Sequence, residues 1–391
     1  MKILVLLSRF PYPLEKGDKL RAFYQIKELA KRHEVVLCTL TDKPVDDQSI
    51  KALENHCASL HIFPLKRPLI YWNTVKQFFT SKPYQTGYFY QSRIKRKVHD
   101  VVQTEKPDHI YCQLIRTTEY VKNIHVIPKT LDYMDALSKG MFRHAAISRG
   151  IKKRLLKEEG KRLAEYEHRI FDYFNFHTII SEQDRQYISH PNKDAITIVE
   201  NGISNDFTTF VSDCEKDFDL VFTGNMNYPP NIACCEYIVN EILPILKDKG
   251  FKLKVLISGA NPHQRVKSLE VENEVVVTGW VEDIRESYSR AKIFVAPLFI
   301  GTGLQNKLLE AMAMGLPSIT TPLANNALKA VDNETVLIAS NAEQFADSIV
   351  SLLEDSDRWK NISVAGRKFV QERYSWEGSV IKLEKLMQSK H

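Results

Sequence analysis

Lys307 and Glu310 are the residues whose types and spacing most clearly suit chemistry, and they lie in the stretch GTGLQNKLLEAMAMGLPSITT over residues 301–321. Residues three apart share one face of a helix, and Gly301 and Gly303 allow the preceding backbone to approach a ligand closely. The first turn of such a helix offers unpaired N–H groups and the positive end of the helix dipole. A lysine with amides suits a phosphate and a carboxylate suits a polyol, so the stretch indicates a site for a ligand that carries both.

A solvated helix face is the alternative explanation for this Lys/Glu pair, because glycine-led strand–loop–helix units are common in α/β proteins. The neighbours of Glu310 favour the ligand site, since apolar residues flank it on both sides in the run LLEAMA. A carboxylate in such surroundings is costly to desolvate unless hydrogen-bond donors meet it. This cost favours the ligand site over the solvated helix face.

Short apolar segments alternate with helical patterns along the whole chain, and they predict the elements that position this stretch. The first series comprises residues 2–7, 35–40, 60–63, 109–113, 130–134, 177–180 and 196–199. The second series comprises residues 220–223, 253–258, 275–278, 293–296, 318–321 and 336–338. Strands that alternate with helices form parallel sheets, so we expect an α/β fold with two Rossmann-like, doubly wound domains facing across a cleft.

Length and composition set the domain boundaries. A chain of 391 residues exceeds what one core usually serves, and residues 201–218 are polar and aperiodic, as a linker is. Two Rossmann-like domains are therefore predicted, the first over residues 1–200 and the second over residues 219–374. A final helix over residues 375–391 is expected to return to the first domain.

Charge and cysteine usage indicate the compartment and the partners. Residues 1–200 hold 34 Lys and Arg against 23 Asp and Glu, a net of +11, whereas residues 201–391 have a net of −5. The six cysteines show no C-x-x-C pair, which is typical of reduced thiols and argues against a structural metal. No apolar run approaches the ~18 residues that cross a bilayer, so we expect a protein that is soluble or lies on a membrane without spanning it. The reduced cysteines indicate the cytoplasm. We expect no metal and no cofactor.

Five motifs, in matching order, resemble those of the retaining glycosyltransferases of family 4, which have the GT-B fold. They are Ser181-Glu182, Asn201-Gly202-Ile203, Phe222-Thr223-Gly224, Val277 to Asp283 (VTGWVED), and Glu310 to Pro317 (EAMAMGLP). The opening PYP at residues 11–13, KGDK at residues 16–19 and the triplet Gln305-Asn306-Lys307 look closest to a subgroup associated with exopolysaccharide and exosortase systems.

The resemblance implies the donor site of a nucleotide-diphosphate sugar in the second domain. Glu310 would accept hydrogen bonds from the ribose hydroxyls, while Lys307 would neutralise the diphosphate and act in catalysis. Trp280 and Val281 would lie beside the base, although plain packing is the alternative for Trp280. The remaining donor-binding residues lie in two loops: Gly224, Asn225 and Asn227 in the first, and Gly301, Thr302, Gly303, Leu304, Gln305 and Asn306 in the second.

Two departures from the family pattern leave room for a non-catalytic binding or scaffold homologue. Thr302 stands where the first glutamate of the family's E-x7-E motif contacts the donor sugar. The strand that ends at Gly224 is not followed by the basic pair that many members use for the diphosphate. Lys307 is then the best remaining cation.

The first domain would contribute the other catalytic groups. By register, Asp135 is similar in position to a family histidine that contacts the donor sugar, and Asp132 lies on the same strand end. Arg116 would stabilise the leaving group, or else lie at the surface. Gly17 and Lys19 follow the first strand, where GT-B enzymes bring backbone and polar groups to the donor.

The expected reaction moves a glycosyl group to a glycan or lipid-linked acceptor in surface polysaccharide or glycoconjugate synthesis. No D-x-D motif lies at a strand end, which agrees with metal-independent transfer. A sugar-nucleotide epimerase on the same fold is the rival enzyme, although the additional carboxylates and histidines expected of one are not found. No G-x-G-x-x-G follows the first strand, so a dehydrogenase is disfavoured, and nothing points to nucleic acid.

An aromatic and basic insert suggests a further partner. Aromatic residues are dense from Tyr71 to Tyr90, four basic residues follow within 93–97, and the helix beginning near Ile151 opens with more. Basic residues beside aromatics suit an anionic membrane surface, whereas packing between helices and solvated helix faces are the alternatives. We expect a reversible, peripheral membrane contact of the first domain.

Overall fold

Thirteen strands form in the described part of the chain, and each predicted strand overlaps one of them. The structure is a computed structural model that describes residues 1–14, 16–211, 215–300 and 304–389. The chain divides into a first unit, Met1–Glu200 with Trp376–His391, and a second unit, Asn201–Ser375. All strand pairings within the two sheets are parallel, so the α/β prediction is confirmed.

The sheet of the first unit has seven strands in the order β3-β2-β1-β4-β5-β6-β7. The strands are β1 (Lys2–Leu7), β2 (Glu34–Thr41), β3 (Ser59–Pro64), β4 (His109–Gln113), β5 (Lys129–Asp132), β6 (Phe176–Ile179) and β7 (Thr197–Ile198). The helices are α1 (Gly17–Leu29), α2 (Asp47–Glu54), α3 (Arg67–Lys76), α4 (Tyr84–Phe89), α5 (Ser92–Glu105), α6 (Thr118–Val121), α7 (Leu137–Ile147), α8 (Gly150–Phe171) and α9 (Glu182–Tyr187). Short 3-10 turns lie at Gln77–Phe79, Ile115–Thr117 and Lys193–Ala195.

The sheet of the second unit has six strands in the order β10-β9-β8-β11-β12-β13. The strands are β8 (Phe218–Thr223), β9 (Val255–Ser258), β10 (Val275–Gly279), β11 (Ala291–Ala296), β12 (Ser318–Thr320) and β13 (Leu337–Ile338). The helices are α10 (Asn205–Thr208), α11 (Pro229–Tyr237), α12 (Leu243–Asp248), α13 (Gln264–Lys267), α14 (Ile284–Ser289), α15 (Asn306–Ala313), α16 (Pro322–Leu328), α17 (Ala342–Glu354) and α18 (Ser356–Arg373), with a π-helical turn at Ile238–Ile242.

Continuous apolar strands form because helices cover both faces of each sheet. In β1, Leu6 pairs with Cys38 of β2 and with Cys112 of β4, and all three side chains are fully buried. The central strand β11 of the second unit is apolar from Ile293 to Ala296 and equally buried. Burial on both faces leaves the carboxyl edges of the sheets as the places for polar chemistry.

The last helix, α19 (Trp376–Gln388), belongs to the first unit. Its Val380 and Leu383 are fully buried in the same core cluster as strand β1, and Trp376 stacks on Tyr24 with ring centroids 5.2 Å apart. Ser379 Oγ donates to the Glu200 carbonyl at 2.8 Å. These contacts attach the helix beside the end of the first 200 residues.

Residues 201–218, interpreted above as a linker, are counted with the second unit. The Ile203 amide donates to the Tyr374 carbonyl at 2.6 Å and forms an isolated bridge with Ser375. Strand β8 already begins at Phe218. In the described residues, no helix has both the length and the apolar character needed to cross a bilayer.

Candidate active site

The loops after β8 and β11 leave the sheet of the second unit at its topological switch point. These strands are neighbours, and the chain continues from β8 to β9 on one side and from β11 to β12 on the other. Ligands of open α/β sheets bind outside the carboxyl ends of the strands at such a point. Gly301, Thr302 and Gly303, which were predicted to bind the donor, lie outside the described residues.

Two glycines bring bare backbone together at this edge. Gly224 has φ +150° and Gly259 has φ +145°, and a Cβ on Gly259 would lie 1.8 Å from the Gly224 carbonyl oxygen. A Cβ on Gly224 would lie 3.3 Å from Lys307 Nζ. The absence of side chains at both positions therefore lets the β8 loop lie directly beside the lysine.

Lys307 is fixed near the amino end of α15 by the first helix after β8. Its Nζ donates to Asn231 Oδ1 at 2.5 Å and lies 5.0 Å from the centroid of the Phe222 ring. The amide of Asn231 donates in turn to the Asn225 carbonyl at 2.9 Å. Burial lowers the pKa of Lys307. An incoming anion would favour its charged form, which is the behaviour required of a group that binds a diphosphate.

The carboxylate of Glu310 accepts a hydrogen bond from within the protein. The hydroxyl of Tyr288 donates to Glu310 Oε2 at 2.8 Å, and the same hydroxyl lies 2.7 Å from Thr223 Oγ1. Burial raises the pKa of Glu310, while the Tyr288 hydrogen bond and the charge of Lys307 act in the opposite direction. Among the described residues, no hydrogen bond is made to Oε1 of Glu310, so this oxygen is available to accept from a ligand hydroxyl.

The other predicted donor residues in the described part of the chain have exposed or half-buried side chains. Trp280 is 71% exposed and follows Gly279, so it does not pack in the core. Its neighbour Val281 is half-buried. The remaining three positions nearest the helix are Leu304, which packs against the core, Gln305, which precedes α15, and Asn306, which begins it. In the β8 loop, Asn225 and Asn227 are exposed, and Asn225 Oδ1 accepts from the Asn227 amide at 3.1 Å.

The first unit carries its own polar cluster at its switch point, between β1 and β4. Arg9 donates to Asp18 Oδ2 at 2.7 Å, and Arg116 lies 3.9 Å from the same oxygen. Both guanidinium groups lie over the Phe89 ring, at 5.8 and 5.4 Å from its centroid. Lys19 Nζ donates to the Tyr12 carbonyl at 3.3 Å. The cluster thus gathers three cations at the start of α1.

Asp135 is the acidic member of this region with an unusual pKa. The residue is exposed, yet the protein around its carboxylate desolvates it. This desolvation, together with the negative charge of Asp184, raises the pKa of Asp135 to about 6, against the opposing charge of Arg116. Gly17 is close by, because a Cβ on it would touch Met134 Cε at 3.4 Å. A carboxyl group with a pKa near neutrality is a candidate for a functional role in a reaction.

Asp132, considered above as a second functional carboxylate, is a structural residue. It forms a fully buried ion pair with Arg21, with Nε and Oδ2 2.7 Å apart, and accepts from the Tyr111 hydroxyl at 2.6 Å. Two fully desolvated charges stabilise each other only as a pair. Arg21 is thereby held against β5 and does not reach a phosphate.

Arg116 is largely buried and makes one side-chain hydrogen bond within the described part of the first unit. Its Nε donates to Gln85 Oε1 at 2.9 Å, and its side chain is 14% exposed. Burial and the nearby charge of Arg9 lower its pKa. The alternative that Arg116 lies at the surface is therefore not supported, because its side chain is mostly buried.

Three residues of the second-unit site were not identified from the sequence. Gly259 follows strand β9 directly, and a glycine at a strand end is a signal that could have identified it. Asn231 lies in the first turn of α11 and Tyr288 lies on α14. No local pattern marks these two, because their roles depend on contacts with α15. In the described part of the chain, no group of three or more His, Cys, Asp or Glu side chains is arranged to hold a metal ion.

Comparisons with known proteins concern the family and the fold. Residues 217–355 match the family "Glycosyl transferases group 1". The fold is similar to that of sucrose-phosphate synthase from Thermosynechococcus elongatus, at TM-score 0.69 and 15% identity, over 99% of this chain and 98% of the other. It is similar to HepE from Anabaena, solved in complex with UDP, at TM-score 0.68 and 16% identity over the whole of both chains.

A curated relative extends the likeness to the sequence of nearly the whole chain. An uncharacterized 44.6 kDa protein from the cps region of Klebsiella pneumoniae is 22% identical over 95% of this chain and 96% of its own length. The chain therefore has the fold of the GT-B glycosyltransferases, and residues 217–355 of its second unit match the glycosyl transferases group 1 family.

Proposed function

We propose that this protein is a retaining glycosyltransferase that moves a sugar from a nucleotide-diphosphate sugar to a glycan or lipid-linked acceptor. The observation that carries the proposal is the placement of Lys307 and Glu310 on α15 at the switch point of the second unit. One helix there presents a cation for a diphosphate and a carboxylate for a ribose, next to the bare backbone of Gly224. The UDP bound to HepE supports a nucleotide as the ligand class.

In the proposed reaction, the bond between the anomeric carbon and the β-phosphate oxygen breaks, and the nucleoside diphosphate leaves with the electron pair. The acceptor hydroxyl oxygen bonds to the same carbon with retained configuration, and its proton passes to a departing phosphate oxygen. Lys307, with the amides at the start of α15, neutralises the charge that develops on the phosphate. This neutralisation would make a metal ion unnecessary.

The remaining donor contacts follow from the described side chains. Oε1 of Glu310 accepts from a ribose hydroxyl, and Trp280 offers an exposed indole face beside the base. Asn225 and Asn227 offer exposed amides in the β8 loop. Each of these contacts serves binding and orientation.

In the first unit, we assign Asp135 to a hydroxyl of the transferred sugar and Arg116 to the leaving diphosphate. Gly17 and Lys19 belong to the same group of contacts. The cps region of the Klebsiella relative supports a role in surface polysaccharide synthesis, as does the similarity of the opening motif to the exopolysaccharide-associated subgroup. A lipid-linked acceptor would place the protein at the cytoplasmic face of a membrane.

A panel of UDP-, GDP-, dTDP- and ADP-sugars, each labelled in the sugar, tests the proposal. We expect one of the nucleotide-sugars to release its nucleoside diphosphate slowly without an acceptor. A glycan or lipid-phosphate acceptor should make this release faster. The sugar in the product should have the same anomeric configuration as in the nucleotide-sugar. Inverted configuration would contradict the retaining assignment. Incorporation of solvent deuterium into an intact nucleotide-sugar would identify an epimerase instead. Tight binding with neither outcome would identify a non-catalytic homologue, consistent with Thr302.

A further inference from the structure

A continuous set of large apolar side chains is exposed on one side of the first unit. Residues 67–79 form α3 and the 3-10 turn that follows it, and only Ile70 and Gln77 of this segment are buried. Six apolar or aromatic side chains are between 39% and 87% exposed: Leu69, Tyr71, Trp72, Val75, Phe78 and Phe79. Their spacings of three and four residues place them on adjacent stripes of one outward face.

Helix α8 extends this face. Arg162 NH1 donates to the carbonyls of Gln77 and Thr80, at 2.6 and 2.8 Å, so the turn that carries Phe78 and Phe79 lies against α8. Ile151 and Leu155 precede Arg162 by eleven and seven residues, which places them on the same stripe of the helix. They are 78% and 41% exposed. We call these two residues and the six above the α3–α8 surface.

Basic residues predominate around the α3–α8 surface, and the acidic residues beside it are Glu158 and Glu165 of α8, which line one cavity with Phe78 and Phe79. Residues 55–99 contain eight Lys and Arg and no Asp or Glu, and residues 136–157 contain seven and none. Glu158, the next acidic residue on α8, is paired with Arg162 at 2.8 Å. The exposed basic residues within the two helices are Arg67, Lys76, Lys152, Lys153, Arg154, Lys157, Lys161 and Arg169.

We infer that the α3–α8 surface docks the protein on the face of an anionic lipid bilayer. Aromatic side chains such as Trp72 and Phe79 suit the level of the lipid headgroups, and a surround in which basic residues outnumber acidic ones complements a negatively charged leaflet. The inference deepens the proposed function, because it specifies how the enzyme would reach a lipid-linked acceptor. The docking itself requires neither a donor nor transfer activity.

Co-sedimentation of the full-length protein with vesicles tests the inference without any nucleotide-sugar. Vesicles of phosphatidylcholine alone are compared with vesicles that also contain phosphatidylglycerol, at about 0.1 M and about 1 M salt, where the Debye length is about 10 and about 3 Å. We expect binding to the anionic vesicles, weakened by salt. Each basic residue near the surface contributes roughly fivefold to the partition constant, so Lys152→Ala with Lys153→Ala should lower it by about 25-fold.

Two apolar variants separate insertion from simple charge attraction. Trp72→Ala with Phe79→Ala should lower the partition constant by at least about tenfold at low salt, because these side chains would lose burial among the headgroups. Val75→Glu should weaken binding, whereas Val331→Glu in the second unit should not, although the two valines are 52% and 51% exposed. Unchanged circular dichroism and thermal unfolding will show that the variants are folded.

Equal pelleting with neutral and anionic vesicles would overturn the inference, as would full binding by the Trp72/Phe79 variant. A different result would assign the surface to a second copy of the chain. In that case light scattering would show a wild-type dimer and a monomeric Val75→Glu variant, and neither protein would bind vesicles. Failure of transfer activity with intact vesicle binding would count against the proposed function alone.

Discussion

The replacement of Glu310 by glutamine is the sharpest test of the donor site. Glutamine keeps the shape of the side chain and can still accept from the Tyr288 hydroxyl, which now lies 2.8 Å from Oε2. It loses the negative charge that strengthens hydrogen bonds from ribose hydroxyls. A hydrogen bond to a charged group contributes about 1.5–3 kcal/mol against about 1 kcal/mol for a neutral pair. Loss of this difference at two hydroxyls amounts to about 1–4 kcal/mol, which predicts a fall in nucleotide affinity of roughly fivefold to several hundredfold.

The same change should not destabilise the fold. Burial raises the pKa of Glu310 in the folded protein, so its ionised form at neutral pH is disfavoured by folding. The stability that a raised pKa brings exists below the ordinary pKa of glutamate and is lost as pH rises through the folded-state value. At neutral pH a neutral glutamine therefore removes a cost, and Tm should stay equal or rise.

Isothermal titration with the nucleoside diphosphate that gives the largest thermal shift measures the affinity, and thermal unfolding measures Tm. Glu286→Gln is the matched control, since that glutamate lies on α14 of the same unit and is exposed. It should change neither quantity. An affinity of Glu310→Gln within about twofold of wild type would refute the ribose assignment, and a large fall in Tm would mean that the carboxylate serves the fold.

Three predictions concern other charged groups, and one concerns metal. Lys307→Ala should lower kcat by about 10²–10³, the usual cost of an electrostatic group that acts in the transition state, while nucleoside binding measured by titration changes little. The pH profile of kcat/KM should fall below about pH 6, where Asp135 takes up a proton, and Asp135→Asn should abolish this limb. Asp132→Asn should lower the free energy of unfolding in urea by about 3–5 kcal/mol, because it leaves Arg21 buried without its partner; a change below about 1 kcal/mol would contradict the structural role. Activity should survive EDTA, and a loss above about 90% that magnesium or manganese restores would contradict metal independence.

The sequence predicted the strands well because buried parallel strands are uninterrupted apolar runs. The segment 109–113 was located to the residue, and β11 begins at Ala291 instead of residue 293. Lys307 and Glu310 could be recognised as a pair because one helix fixes their spacing, so that no tertiary information is needed.

Contacts between distant segments were beyond sequence reasoning. Arg21 and Asp132 are 111 residues apart, and nothing local distinguishes a carboxylate that pairs in the core from one that faces a ligand. The partner of Glu310 is likewise set by the packing of α14 against the sheet.

The aromatic insert illustrates the same limit on pattern reasoning. Its composition indicated either packing or a membrane contact, and in the structure one part of the insert packs while another part is exposed. Phe89 is buried and Tyr90 packs on Tyr120, with ring centroids 5.6 Å apart. Trp72 of α3 and Phe79 of the turn that follows it are exposed, and only Ile70 and Gln77 of residues 67–79 are buried.

The attachment of α19 to the first unit has a consequence for how the chain folds during synthesis. The second unit begins and ends at one place, where the Ile203 amide meets the Tyr374 carbonyl, so it resembles a domain inserted into the first. A ribosome would release the whole of this insert before Val380 and Leu383 emerge to complete the core around β1. The unit that is translated first thus finishes folding last. Until α19 emerges, the apolar side of that core which α19 covers stays exposed and must not aggregate. Termination shortly before Trp376 should yield an intact second unit attached to an incomplete first one.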